Sequence, residues 1–267
     1  MTEFWSRSWS VGFIALAWAA CAAAVPPESA GQDAPEAAAI DTARSDYPSD
    51  EPRDRAPFDP VERRIEGWTV WVDPAMVEGE HAEEGGRALA MLANHLQRIA
   101  LLVPEDRLAQ LRKVEIWIEL RHPKLGPMQY HPSADWLREH GYDPRLAKKV
   151  HIPRAGELLD RRQLLKHPFV VLHELAHAYH DQFLGFDEPR IVAAFEQAKQ
   201  SGKYEHVLLY TGRHVRHYAL TDAKEYFAEG TEAYFYRNDF YPFVRAELKE
   251  HDPALHDLLR EIWGPAE

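Results

Sequence analysis

The sequence predicts an α+β domain over residues 61–267. Three observations lead there. Short runs alternating apolar and polar residues fall before residue 153. Helical spacing of apolar residues dominates from Pro168 onward. Neither an internal repeat nor a glycine-rich phosphate loop interrupts the pattern, so strands early and helices late point to a small sheet with a helical C-terminal half.

Taken in order, the chain opens with Arg7 and then an apolar run from Val11 to Ala24, closed by Pro26 and Pro27. At about 14 residues the run is short for a bilayer span and reads as a signal peptide covering 1–24. Ala19-Ala20-Cys21 also resembles the end of a lipoprotein signal, so a lipid anchor at Cys21 and free export are both expected routes to the cell envelope or beyond. Residues 25–60 carry seven prolines, nine acids and three arginines, with few bulky apolar residues. Such a stretch buries too little surface to offset its ordering entropy and is expected to be a disordered linker.

Within the domain, Trp68-Thr69-Val70-Trp71-Val72 alternates as a strand. Leu89, Leu92, Leu96, Ile99 and Val103 form one helical stripe, and Pro104 suits the start of a second, short helix. Val114, Ile116, Ile118 and Leu120 alternate with Glu115, Trp117 and Glu119, which predicts a half-buried strand. Val150-His151-Ile152 predicts a third, stopped by Pro153. Trp136, Tyr142 and Phe240–Phe243 read as core.

The balance of 31 Lys+Arg against 43 Asp+Glu gives a net charge of −12, which argues against a nucleic-acid partner. The single cysteine excludes an internal disulfide and a cysteine-based metal site. Fifteen histidines direct attention to metal or acid–base chemistry.

The stretch Val170–His180 carries that chemistry. His173 and His177 are four apart, so on a helix their imidazoles sit about 40° apart around the axis and about one turn along it. Both can reach one Zn²⁺. Glu174 flanks that face and can take a proton from metal-bound water without ligating. The intervening residues are nearly all apolar, which buries the helix as an H-E-x-x-H metallopeptidase requires. A third histidine six residues after His177 is excluded, since Phe183 stands there. The other source of a third ligand is a glutamate on a later helix. Glu225, Glu229 and Glu232 share one face of 225–235, and repel one another unless cationic partners or water meet them. One ligand plus one carboxylate that orients a ligating histidine is the expected arrangement. His217 competes as third ligand. His180 is expected to be a hydrogen-bonded or surface histidine, His131 a structural one. Gly230 would allow close helix packing.

His173-Glu174-Leu175-Ala176-His177 followed by Glu225-Tyr226-Phe227-Ala228-Glu229 resembles the gluzincin metallopeptidases of the lethal-factor-like group, which includes the catalytic domain of anthrax toxin lethal factor. The resemblance covers about Phe169–Phe235. It implies a zincin-like catalytic domain with one Zn²⁺ per chain held by His173, His177 and Glu225, and with Glu229 beside the ligands. It further implies that Tyr218, seven residues before Glu225, assists catalysis beside Glu174. The expected function is zinc-dependent endopeptidase activity on peptide or protein substrates, a strand edge at 150–152 or 128–130 receiving the substrate. Two other readings predict different behaviour. A zinc-stabilised peptide-binding or regulatory module would need neither Glu174 nor Tyr218, and a purely structural envelope protein would need no metal.

Overall fold

The computed structural model describes residues 58–266; the apolar run, Cys21 and nearly all of the acidic linker lie outside the described residues. A five-stranded mixed sheet is built from β1 (Val61–Ile65), β2 (Trp68–Val72), β3 (Ile116–Ile118), β4 (Gln129–Tyr130) and β5 (Val150–Ile152), in the spatial order β1-β2-β3-β5-β4. β1 and β2 form an antiparallel hairpin, with Val61 opposite Val72 and Ile65 opposite Trp68. Its turn is Glu66-Gly67, both at positive φ (49° and 93°), as a two-residue hairpin turn demands. β2, β3 and β5 run parallel, and β4 closes the far edge antiparallel to β5.

The parallel β2–β3 link requires a crossover. It is supplied by α1 (Ala82–Leu102) and the short α2 (Glu105–Leu111), which starts after Pro104. The stripe Leu92, Leu96 and Ile99 packs with Val70, Val72, Ile116, Ile118, Val150 and Ile152 in the main core. Gly85 of α1 lies against the backbone of a 3₁₀ turn at Pro74–Met76, so close that a Cβ there would sit 2.1 Å from the Met76 carbonyl oxygen.

The other sheet face is covered as well. Trp117 of β3 packs with Leu137 and Leu146, beside Phe58, Trp71 and Tyr142. All three residues of β3 are therefore buried, where alternation predicted a half-exposed strand. The covering layer includes α3 (Ala134–Glu139). Trp136 of α3 is 44 % exposed and stacks on His140 at 4.1 Å between ring centroids, so it is a surface residue and not part of the core.

After α4 (Arg161–Lys166), the helical half comprises α5 (Val170–Tyr179), α6 (Pro189–Ser201), α7 (Ala223–Phe235), α8 (Arg245–His251) and α9 (Pro253–Trp263). A small hairpin, β6 (Val207–Leu208) and β7 (His214–Val215), lies between α6 and α7. α5 runs through the core: Phe169, Val171, Leu172, Leu175, Ala176 and Ala178 are fully buried. It packs on α7 and touches β4 and β5, which brings a helix pair and a sheet edge to one place. The close approach at Gly230 of α7 is to the side chains of Leu255 and Leu259 on α9, where a Cβ would lie 2.7 Å from Leu255 Cδ2. Among the described residues no helix is long and apolar enough to cross a membrane.

Candidate metal centre

His173 and His177 sit one turn apart on α5, and Glu225 is in the first turn of α7. Asp222 caps α7 through its side chain, accepting from the backbone N–H groups of Lys224 and Glu225 and fixing that turn. The two helices bring three donor atoms to one point. His173 Nε2 is 3.1 Å from Glu225 Oε2 and 3.1 Å from His177 Nε2. His177 Nε2 is 3.3 Å from Glu225 Oε2. Donors at about 2.1 Å from a tetrahedral ion stand about 3.4 Å apart, so the triangle is close to one face of such a coordination shell.

The donor chemistry agrees. His173 Nδ1 lies 2.8 Å from Glu232 Oε1. A carboxylate only accepts, so Nδ1 carries a proton, while Nε2 faces Glu225, itself an acceptor, across 3.1 Å. A proton on Nε2 or a metal ion satisfies the contact with Glu225, and a metal ion serves all three donors at once. The electrostatics run the same way. Burial disfavours charge on His173, yet hydrogen bonds with Glu225 and Glu232 hold its proton affinity well above the ordinary histidine value. Burial likewise opposes charge on Glu225, but His173 and His177 hold its carboxyl far below the usual range. The site favours positive charge at its centre, and the residues fit Zn²⁺.

Glu174 points from α5 toward the sheet edge. Its Oε2 accepts a 2.8 Å hydrogen bond from the backbone N–H of Tyr130 on β4. Burial raises its pKa, which suits a group that must take up and release a proton. Tyr218 opens a 3₁₀ turn, Tyr218–Leu220, packed against α7. It is 36 % exposed, and burial together with the nearby Glu225 pushes its phenol up to about 12. It therefore stays a hydrogen-bond donor at neutral pH.

The acidic face of α7 is buried rather than solvated. Glu232 is fully buried and makes the direct contact with His173. Glu229, expected in that role, stands 3.8 Å from His173 Nδ1 and is instead bonded by Asn238 Nδ2 at 2.8 Å. Burial, with Asp239 and Glu232 alongside, raises its pKa. Burial also opposes charge on Glu232, but His167 and His173 keep its carboxyl below the usual range. His167 Nε2 lies 2.7 Å from the same Glu232 oxygen. Sequence reasoning did not single out His167 or the Tyr130 N–H.

His217 is not part of the cluster. It is buried, its Nδ1 accepts from the Ala219 N–H at 3.0 Å, and its ring stacks on Phe240. His180 falls where α5 loosens into a π-turn at His180–Leu184. Its ring lies between Phe186 and Phe227, fully buried, with neither nitrogen hydrogen-bonded to protein, so it is neither a bonded nor a surface histidine. Burial lowers its pKa to about 4 and keeps it neutral. His131 is buried and bonds His151 at 3.2 Å, as a structural histidine does. The strand at the sheet edge is β4, since β5 is enclosed between β3 and β4.

No protein-family model matches the chain, and none of the curated proteins compared with it does. Among solved structures it is similar to that of the PRO-PRO endopeptidase (PPEP-2) from Paenibacillus alvei, at 20 % identity, covering 75 % of this chain and 99 % of that one, with a TM-score of 0.43. At that identity and score the likeness carries no functional weight.

Proposed function

We propose that the chain is a zinc-dependent metalloendopeptidase of the H-E-x-x-H type with a downstream glutamate ligand. The observation that carries this reading is the triangle of His173 Nε2, His177 Nε2 and Glu225 Oε2, with sides of 3.1–3.3 Å, beside an acid that does not join it. His173, His177 and Glu225 would hold the ion. Zinc bound there supplies a Lewis acid and lowers the pKa of a bound water to about 7.

The protein's own groups then divide the work. Glu174 accepts the proton of the attacking water and passes it to the leaving amine, and its raised pKa matches both halves of that task. The Tyr130 N–H holds one oxygen of Glu174, leaving the other for the proton transfer. Tyr218 donates a hydrogen bond to the oxyanion that develops on the substrate carbonyl. An extended peptide would lie along β4, the edge strand beside Glu174, with the Tyr130 N–H reserved for that acid. The likeness of the two motifs to the lethal-factor-like peptidases agrees with these roles but does not transfer a substrate. Zinc content and hydrolysis of a broad peptide library test the reading. One zinc per chain with metal-dependent cleavage is expected; one zinc without cleavage would favour a binding module.

A further inference from the structure

Glu232 is a buried carboxylate whose protein hydrogen bonds come from two imidazoles. Both reach the same oxygen, His173 Nδ1 at 2.8 Å and His167 Nε2 at 2.7 Å, while Glu232 Oε2 has no protein partner. His167 lies outside both flanking helices, in the gap between α4 and α5. Its backbone is pinned there, since its N–H closes α4 on the Gln163 carbonyl at 2.8 Å. Its ring stands edge-on to that of His173, with centroids 5.3 Å apart.

We propose that His167 is a positioning residue of the metal centre: it fixes the Glu232 carboxylate so that Glu232 holds the His173 ring with Nε2 aimed at the ion. This rests on His173, His177 and Glu225 being the ligands. A carboxylate held by one hydrogen bond keeps a free rotation about that bond; a second bond from a differently directed ring removes it. Glu229 and Asp239 crowd the same pocket, so a Glu232 released by His167 has competing polar neighbours and turns. The outer partner of a ligating histidine typically governs metal affinity by about 10–100-fold. The His167–Glu232–His173 group is not read as a second metal site. Its two imidazoles converge on one oxygen at hydrogen-bond distance, and an ion there would displace the proton that leaves His173 Nε2 free to ligate.

The test compares His167→Leu, His167→Gln and Glu232→Gln in the full chain by zinc affinity in chelator competition and by the visible spectrum of the cobalt-loaded protein. His167→Leu is expected to bind zinc about 10–100-fold more weakly and to shift the cobalt bands. His167→Gln, whose amide nitrogen reaches about as far as Nε2, should restore both. Adding His167→Leu to Glu232→Gln should cost nothing further, because the route through Glu232 is already broken. If His167→Leu does not fold, His167→Asn, whose amide reaches only as far as Nδ1, carries the same expectation. Wild-type affinity and an unchanged cobalt spectrum in the Leu or Asn variant would overturn the proposal while leaving the ligand assignment intact. Two zinc ions per wild-type chain, falling to one in either variant, would also overturn it. A wild type that binds no zinc would instead defeat the ligand assignment itself.

Discussion

The backbone N–H of Tyr130 donates to Glu174 Oε2 at 2.8 Å, so the acid of the H-E-x-x-H helix is tied to the edge strand of the sheet. The strand is itself anchored from its side chain. The Tyr130 hydroxyl donates to Asp181 at 2.5 Å, and Lys148 pairs with the same carboxylate oxygen. Tyr130→Phe removes that anchor but keeps the N–H. It should lower stability by about 1.5–3 kcal/mol, the range for a hydrogen bond to a charged group, with zinc affinity unchanged. Urea denaturation of the zinc-loaded protein and chelator competition check this; lost zinc with undiminished stability would contradict it.

The α7 carboxylates should separate in function. Glu225→Ala removes a proposed ligand and should weaken zinc binding severely. Glu232→Ala removes the acceptor for His173 Nδ1 and should cost about 10–100-fold. Glu229→Gln keeps its bond to Asn238 and should leave affinity near wild type. Zinc titration against a competing chelator ranks the three; a Glu229→Gln defect larger than that of Glu232→Ala would reverse the assignment.

Tyr218→Phe should retain one zinc and the fold but lose about 10²–10³ in kcat, the typical effect of one oxyanion donor. A rate within twofold of wild type at equal zinc occupancy would remove Tyr218 from the mechanism.

Gly85→Ala should destabilise the protein although alanine favours helix. Its methyl would meet backbone at Met76, which cannot rotate away as a side chain would. A net loss of about 1–3 kcal/mol is expected from such overpacking. A raised midpoint in urea would show that the 3₁₀ turn yields freely.

Export remains a proposal carried by the run Val11–Ala24. N-terminal analysis of native material should find the chain starting near residues 21–25, acylated if Cys21 is the anchor. An intact Met1 would contradict it.

What was legible in the sequence is mostly local. His173 and His177 are set by helical spacing alone, and the strands at 68–72 and 150–152 lie where alternation puts them. Glu225 was legible through its motif. The division of labour between Glu229 and Glu232 was not, although helix arithmetic held the signal: at about 100° per residue Glu232 lies only about 20° off the line of Glu225, and Glu229 about 40° off it. The edge strand was legible only as a choice between 128–130 and 150–152, because a two-residue strand has no period to read; pairing with β5 places β4 at the edge. His167 escaped for the same kind of reason. It is 65 residues from Glu232, and no local pattern marks a contact of that range. The burial of Trp117 depends on a covering layer drawn from Phe58 and from residues 137–147.

The most direct measurement is peptide hydrolysis by wild type and Glu174→Gln at matched zinc occupancy. Glu174 is not one of the three converging donors, so the variant should keep one zinc per chain and the wild-type fold. It cannot accept the water's proton, and hydrolysis should fall by about 10²–10⁴. A Glu174→Gln protein that is fully loaded with zinc and cleaves as fast as wild type would contradict the account.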